Sequence, residues 1–453
     1  MRPGISACLF LGAAAFFALT WSGRYYHDGA ALAGLFEGGV PWGYVAYMPS
    51  AGVLHALFKF LGVPEPEAAL RALSVLAAAG TITLGAIVAR WLFGSTKAAL
   101  LAAMLVGLAA APWFAATIVE KYSFAGLLLS VAMWLAVRAP GGLFVVPPLA
   151  SILVLTGYFG CGVSIGGLVL LNAIAERRRG RCVTVWRVAL SSLVTLAVAW
   201  GFAHFNAQQF GGEASSEVAG AFFDYLLAPL RSPSTIAGSF ASRLVPAWGA
   251  VWALALLALA VAKRGQRLAA LAVLAGLGPA TLLVLVLPTL DGLYAVPATA
   301  FVVCGLAAWL QHALRRPGVH AVLALACTLQ LAWSVRAHVR LAIDPEHEFA
   351  EFVAHSIEAP AVLVTIGTGR SRWLRRLTKL SIVDIGTIAG QAPAAAAEFF
   401  WTKARELQDA GTPVYFDRRA LYLEPPLDAI SAAVRKRFAT GELPRWMSLW
   451  RMR

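Results

Sequence analysis

A small group of ionisable and aromatic residues stands just beyond the first apolar segment of the chain. Asp28 closes a short run that holds Arg24, Tyr25 and His27, in a sequence otherwise rich in Ala, Leu and Val. Ionisable side chains close to a bilayer are costly and tend to mark function. Partial desolvation raises the pKa of a carboxyl group toward neutral pH, which suits a general base. Asp28 is therefore the first candidate catalytic residue.

A second acid stands at the turn between the third and fourth apolar segments, where Glu120 is followed by Lys121 and Tyr122. Two carboxylates at a water–lipid boundary suit a group transfer, with one of them activating an incoming hydroxyl or amine. A nearby cation stabilises a phosphate leaving group. The sequence predicts that Asp28 and Glu120 line one cavity. The candidate phosphate-binding cations are Arg24, Lys121, Arg231 and Arg243.

Each of these residues also has a structural interpretation. Asp28 could cap a helix that begins at Gly29, and Glu120 and Lys121 could be solvated residues at the membrane interface. No second His or Cys stands at ligand spacing from His27, so we predict no metal site. An aromatic belt at the membrane surface is the alternative interpretation of Tyr25, Tyr26, Trp42, Tyr44 and Tyr47.

The composition indicates a polytopic membrane protein. Of 453 residues, 59% are hydrophobic and 13% are charged, with a mean hydropathy of +0.72. Soluble domains carry about 25% charged residues. The net charge of +14 comes largely from Arg and Lys in short loops, which is typical of orientation signals beside anionic lipids. We therefore expect membrane lipids as partners and no nucleic acid.

Eleven apolar segments are predicted to span the membrane. The pair 143–157 and 159–175 is short, and a partly re-entrant hairpin is its alternative interpretation. The predicted spans are 5–20, 69–91, 98–115, 120–137, 143–157, 159–175, 186–204, 246–262, 267–288, 293–312 and 318–337.

Positive charge in the loops sets the predicted orientation, because Arg and Lys concentrate on the cytoplasmic side. The run 177–181 and the other loop cations fall on one side, which places the N-terminus in the cytoplasm and the C-terminus outside. The outer face then carries loops at 21–68 and 205–245. We expect a transmembrane domain over 1–337 and an extracytoplasmic domain over 338–453.

The tail alternates strand and helix patterns. Strands are predicted at 361–366, 380–384 and 413–416, and helices at 371–379 and 394–410. Such alternation favours a parallel sheet. The predicted fold class is thus an all-α polytopic membrane protein of about 11 transmembrane helices with a small C-terminal α/β domain outside the cytoplasm.

Residues 1–140 resemble the GT-C superfamily of membrane glycosyltransferases, most of all the bacterial relatives of protein O-mannosyltransferases. The resemblance rests on Asp28, on the following Gly39-Val-Pro-Trp-Gly-Tyr44-Val-Ala-Tyr47, on Ala69-Leu-Arg71, and on Val119-Glu120-Lys-Tyr122. It implies that Asp28 is the catalytic base and Glu120 a second functional acid. No acid adjoins Asp28, unlike in the metal-dependent relatives, which argues against a required divalent ion.

The resemblance implies a sugar transfer from a polyprenyl-phosphate donor to a protein or glycan acceptor on the periplasmic side of a bacterial inner membrane, with no cofactor. The residues expected to contact the substrates are Arg24, Tyr25, His27, Tyr44, Tyr47, Lys121, Tyr122, Arg231 and Arg243. One alternative is a transporter or flippase of lipid-linked glycans, which predicts internal repeats and charges at mid-membrane depth. The other is a non-enzymatic subunit of an envelope-glycan assembly.

Overall fold

The structure is a computed structural model that falls into two compact units, described separately below. The predicted domain boundary at 337/338 lies outside the described residues. The residues that the structure describes are 1–20, 46–119, 121–210, 238, 240–286, 292–314, 325–335, 345–365, 368–384, 402, 406, 409–417, 440–442 and 449–452.

The first unit, within residues 1–335, is helical throughout its described part. Its helices are α1 (Pro3–Leu19), α2 (Tyr47–Phe60), α3 (Pro66–Phe93), α4 (Thr96–Gly107), α5 (Ala110–Thr117), α6 (Tyr122–Arg138), α7 (Val146–Gly157), α8 (Ile165–Arg178), α9 (Val185–Phe210), α10 (Val245–Trp248), α11 (Ala250–Leu256), α12 (Ala258–Val261), α13 (Arg267–Val286), α14 (Thr299–Ala313) and α15 (Leu325–Val335). Short 3-10 helices lie at Phe159–Ser164, Arg264–Gln266 and Gly292–Ala298, and a π-helix at Phe240–Leu244.

Several of these helices are long and apolar enough to cross a membrane. Within the described residues there are four, Pro66–Phe93, Val185–Phe205, Arg264–Leu285 and Leu293–Ala313, or five if the bent pair α4–α5 forms one span. Shorter apolar helices occupy other predicted spans. The chain is therefore a multi-pass membrane protein, and the count of eleven crossings stays a prediction.

The ends of α3 follow from local sequence signals. Pro66 stands in the first turn, where its missing N–H is not needed, and Glu67 complements the helix dipole. Gly94 ends the helix with φ +81°, a left-handed conformation that favours glycine, and its N–H donates to Arg90 O at 2.7 Å. The predicted span 69–91 lies inside this helix.

The segment predicted as one span at 98–115 is instead two helices, α4 and α5, bent by 67°. Ser95 caps α4, because its Oγ accepts from Ala98 N at 3.2 Å. Pro112 has no N–H to donate to the carbonyl one turn earlier, which explains a break at Leu108 and Ala109. The segment 246–262 is likewise divided, into α10, α11 and α12.

Small residues let the apolar helices approach closely around α3, which packs against α1, α6 and α14. A Cβ atom built on Gly85 would lie 3.2 Å from Ala300 Cα. One built on Gly305 of α14 would lie 2.7 Å from Ala255 O of α11. Close backbone approach of this kind is what associates helices in a bilayer, where burial of apolar surface gives no advantage over lipid.

Arginines of the positively charged run 177–181 hold the C-terminal ends of two helices. Arg178 donates to Trp91 O and Leu92 O at the end of α3, and its guanidinium stacks 4.1 Å from the Trp91 ring. Arg179 donates to carbonyls of 137–139 at the end of α6. Cations at helix C-termini satisfy carbonyls without intrahelical partners. The run predicted only as an orientation signal is therefore also structural.

Glu176 lies within this cluster and pairs with two of its arginines. Its carboxylate is 3% exposed and pairs with Arg179 at 2.7 Å and with Arg181 at 2.6 Å. Burial lowers the pKa of Arg178, but a guanidinium titrates so far above neutrality that the cluster stays charged at physiological pH.

The second unit, within residues 345–452, contains a five-stranded sheet of order β2-β1-β3-β5-β4. Its elements are α16 (Pro345–Ser356), β1 (Val362–Thr365), α17 (Thr368–Leu377), β2 (Ser381–Asp384), β3 (Val414–Asp417), β4 (Thr440–Glu442) and β5 (Leu449–Met452). β1 runs parallel to both β2 and β3, which confirms the three predicted strands, and β5 is antiparallel to β3 and β4. Most of the predicted helix 394–410 lies outside the described residues.

Polar side chains join the carboxyl ends of the three parallel strands. Arg370 of α17 pairs with Glu346 and, at 2.5 Å, with the fully buried Asp417, which also accepts from Thr365 at 2.9 Å. Ser371 donates to Asp384 at 2.7 Å. Each buried charge thus has a partner, as burial requires.

Candidate functional site

The predicted site residues that the structure describes centre on the first turn of α6. Lys121 immediately precedes this helix and is only 5% exposed. Its Nζ lies 5.6 Å from the ring centroids of both Tyr122 and Tyr158. Cation–π contacts of this kind are worth about 0.5–2 kcal/mol and offset part of the cost of burying the ammonium.

Three tyrosines form one cluster at this place. The Tyr122 ring packs edge-on against Tyr158, with centroids 5.6 Å apart, and in a tilted arrangement against Tyr294 at 5.1 Å. Tyr158 lies in extended backbone between α7 and the 3-10 helix Phe159–Ser164, and Tyr294 lies in the 3-10 helix before α14. Interruptions in apolar helices therefore bring these rings to the start of α6.

Tyr47 reaches the same region from α2. Its side chain is fully buried, and its ring packs edge-on against Phe124, with centroids 5.6 Å apart. The preceding Ala46 N–H donates to Thr156 O at 3.1 Å. Since Phe124 and Thr156 are two residues from Tyr122 and Tyr158, Tyr47 packs against the same turn of α6 that carries Tyr122, and Lys121 directly precedes that turn.

Arg243 lies on another segment of the first unit. It is half-buried in the π-helix Phe240–Leu244, and its guanidinium donates to Val284 O at 3.1 Å, near the end of α13. At least one of its donors is therefore used to cap a helix. The remaining predicted site residues lie outside the described residues, namely Arg24, Tyr25, His27, Asp28, Tyr44, Glu120 and Arg231.

The described cluster is suited to holding an anion. Lys121 stands at the N-terminus of α6, where the helix dipole is positive, and its side chain is buried, so its attraction for a negative group is stronger than at a surface. The rings of Tyr122 and Tyr158 lie beside its ammonium. Within the described part of the chain, no group of three or more His, Cys, Asp or Glu residues could hold a metal ion.

Sequence reasoning missed Tyr158 and Tyr294 as site residues. Tyr158 was visible only in the interruption Thr156-Gly-Tyr-Phe-Gly160 of two short predicted spans. Tyr294 was visible only in the tight turn Asp291-Gly-Leu-Tyr294 between two spans. The usable signal was their predicted location, because the orientation set by the loop charges places both on the outer face together with Lys121.

Comparisons with known proteins find likeness in structure and not in sequence. No protein-family model matches the chain, and no curated protein matches it significantly. Among solved structures, ArnT from Cupriavidus metallidurans bound to undecaprenyl phosphate has a TM-score of 0.51 at 14% identity, covering 100% of this chain and 98% of that one. ArnT in the apo state has a TM-score of 0.51 at 15% identity, covering 98% and 97%.

An archaeal enzyme has the same architecture. The Archaeoglobus fulgidus oligosaccharyltransferase, in complex with Zn and sulfate, has a TM-score of 0.53 at 14% identity, covering 95% of this chain and 71% of that one. Identities this low show a shared fold. The comparisons therefore show that this chain shares the fold of these solved structures.

Proposed function

We propose that this protein is a membrane glycosyltransferase that moves a sugar from a polyprenyl-phosphate donor to an acceptor on the periplasmic side of a bacterial inner membrane. The observation that carries the proposal is the buried Lys121 among tyrosines at the start of α6. This cluster occurs in a chain whose fold matches, over its full length, a structure bound to undecaprenyl phosphate.

The cluster has the chemistry that the leaving group of such a transfer requires. When the bond between the sugar carbon and the phosphate oxygen breaks, that oxygen keeps the electron pair and the polyprenyl phosphate gains negative charge. A preorganised cation in a water-poor site stabilises this charge in the transition state more than in the ground state. Lys121 is the proposed cation, and Arg24, Arg231 and Arg243 are the further candidates.

Asp28 is the proposed base. It would accept the proton of the acceptor hydroxyl or amine as that atom forms its bond with the sugar carbon. Glu120, next to Lys121 in the sequence, is the proposed second acid. Substrate contacts are further assigned to Tyr25, His27, Tyr44, Tyr47 and Tyr122. The unit that follows the membrane helices, proposed as residues 338–453, would lie on the same outer side.

The proposal is tested by mass spectrometry of envelope glycans and glycoproteins from cells that carry Asp28→Asn. Asp409→Asn is a matched control, because Asp409 is an exposed acid in the second unit. We expect the product glycan to disappear with Asp28→Asn and to persist with Asp409→Asn at equal protein levels. Unchanged glycosylation in both strains would overturn the enzymatic assignment and favour the assembly-subunit alternative.

A further inference from the structure

A small cavity, lined mostly by apolar groups but also by three hydroxyl-bearing residues, lies beside the first turns of α6. It has a volume of about 10 Å³ and lies between α3, α5, α6 and the start of α14. Three hydroxyl-bearing residues line it, Thr81, Ser123 and Thr299. The volume is at the lower limit at which an internal cavity holds one water molecule, and apolar cavities of this size stay empty while polar ones are hydrated.

The hydroxyl group of Ser123 is the unusual feature of this cavity. The residue is 2% exposed, and its Oγ forms no hydrogen bond with any described residue. A buried hydroxyl without a partner destabilises the fold. Native proteins satisfy such groups in most cases, often through an ordered water. Ser123 therefore points to a small polar occupant of the cavity.

The two threonines of the cavity can accept further hydrogen bonds. Thr81 Oγ1 donates its only hydrogen to Ala77 O at 2.8 Å, and Thr299 Oγ1 donates its hydrogen to Val296 O. A hydroxyl has one donor and two acceptor positions, so both threonine oxygens can still accept. Ser123 can still donate.

We propose that one buried water molecule occupies this cavity, accepting a hydrogen bond from Ser123 and donating its two hydrogens to Thr81 Oγ1 and Thr299 Oγ1. The three partners come from α3, α6 and α14. The water joins these helices immediately behind Lys121 and Tyr122 and anchors the turn that carries them. This site does not depend on the proposed transfer activity.

Gly126 provides the test. A Cβ atom built on it would lie 3.4 Å from Thr81 Oγ1, an ordinary contact distance, and would enter the cavity without a clash. Gly126→Ala should therefore displace the water and leave Ser123 without a partner. In the Ser123→Ala background, Gly126→Ala leaves no hydroxyl group without a hydrogen bond. Its remaining effects are the better helix propensity of alanine and the filled space, and both stabilise the protein.

The measurement is the Tm of the full chain in detergent for the four variants of this double-mutant cycle. We expect Gly126→Ala to lower Tm by about 2 °C in the wild type and to raise it by about 2 °C in the Ser123→Ala background. Equal shifts of either sign in both backgrounds would overturn the proposal, because the two positions would then be independent. If a variant does not fold, a map that resolves ordered waters decides: density bonded to Ser123 supports the site, and an empty cavity contradicts it.

Discussion

Two substitutions of Lys121 distinguish the contribution of its charge to phosphate binding from the contribution of its packing. Lys121→Met keeps the length of the side chain and removes the ammonium, whereas Lys121→Arg keeps the positive charge. A hydrogen bond to a charged group is worth about 1.5–3 kcal/mol, and each 1.4 kcal/mol is a tenfold change in affinity. We therefore expect Lys121→Met to weaken the binding of undecaprenyl phosphate by about 10- to 100-fold, and Lys121→Arg to retain most of it.

The structural contribution of Lys121 is smaller. Lys121→Met loses its contacts with the rings of Tyr122 and Tyr158, worth about 1 kcal/mol, but it also removes the cost of burying the ammonium. Tm should therefore fall by no more than about 2 °C, and the protein should stay folded. Native mass spectrometry of the purified protein with undecaprenyl phosphate measures the affinity. Lys97→Met, at an exposed lysine in the first turn of α4, is the control and should bind as the wild type does.

Two outcomes would refute this reasoning. Wild-type affinity in Lys121→Met would show that the cation does not contact the phosphate. Equal losses of affinity in Lys121→Met and Lys121→Arg, at equal Tm, would show that the exact shape of the side chain matters and its charge does not.

Two further predictions concern stability and use thermal unfolding of the full chain. Glu176→Gln should cost about 2 kcal/mol, because it leaves a cluster of arginines without its buried counter-charge; an unchanged Tm would show that helix carbonyls alone hold the arginines. Gly305→Ala should cost about 1–3 kcal/mol, because the added Cβ would lie 2.7 Å from Ala255 O. Gly201→Ala is its control, since a Cβ there meets nothing within 4 Å, and comparable losses at both glycines would contradict the close-packing argument.

The sequence was sufficient to predict where most apolar helices lie. Hydrophobic segments bounded by charge or turn residues place α3 and α13 within a few residues of their observed ends, because span length and backbone satisfaction in lipid leave few alternatives. The three parallel strands were also predictable, because short β-branched runs alternated with helix patterns. β4 and β5 were not, since the pairing of β5 with β3 and of β4 with β5 depends on tertiary contacts.

The break within a predicted span and the contacts of the loop arginines were harder to predict from the sequence. The break between α4 and α5 depends on a single Pro112 in a continuous apolar run, and proline kinks are tolerated in membrane helices. The roles of Arg178 and Arg179 as helix caps were hidden, because the carbonyls they bind belong to helices at least 30 residues away in the sequence. Charge in the loops predicted their side of the membrane and not their contacts.

For the site, sequence reasoning identified Lys121, Tyr122 and Tyr47, which the structure brings to one region. Their residue types were unusual for an apolar chain, and the predicted orientation placed them on one face. Tyr158 and Tyr294 were missed because an aromatic residue at a membrane boundary is common. Only the folded arrangement shows that Tyr158 lies beside Lys121 and that Tyr294 packs against Tyr122.

The most direct test of the proposed function is the release of polyprenyl phosphate by the purified full-length protein in lipid vesicles. Polyprenyl-phosphate sugars of different kinds are supplied with an acceptor extract, and the freed polyprenyl phosphate is quantified by mass spectrometry. We predict release by the wild type with at least one sugar donor, and a loss of at least 100-fold with Asp28→Asn. Release that is equal in the wild type and in Asp28→Asn, or sugar-linked lipid that only changes leaflet, would contradict the account.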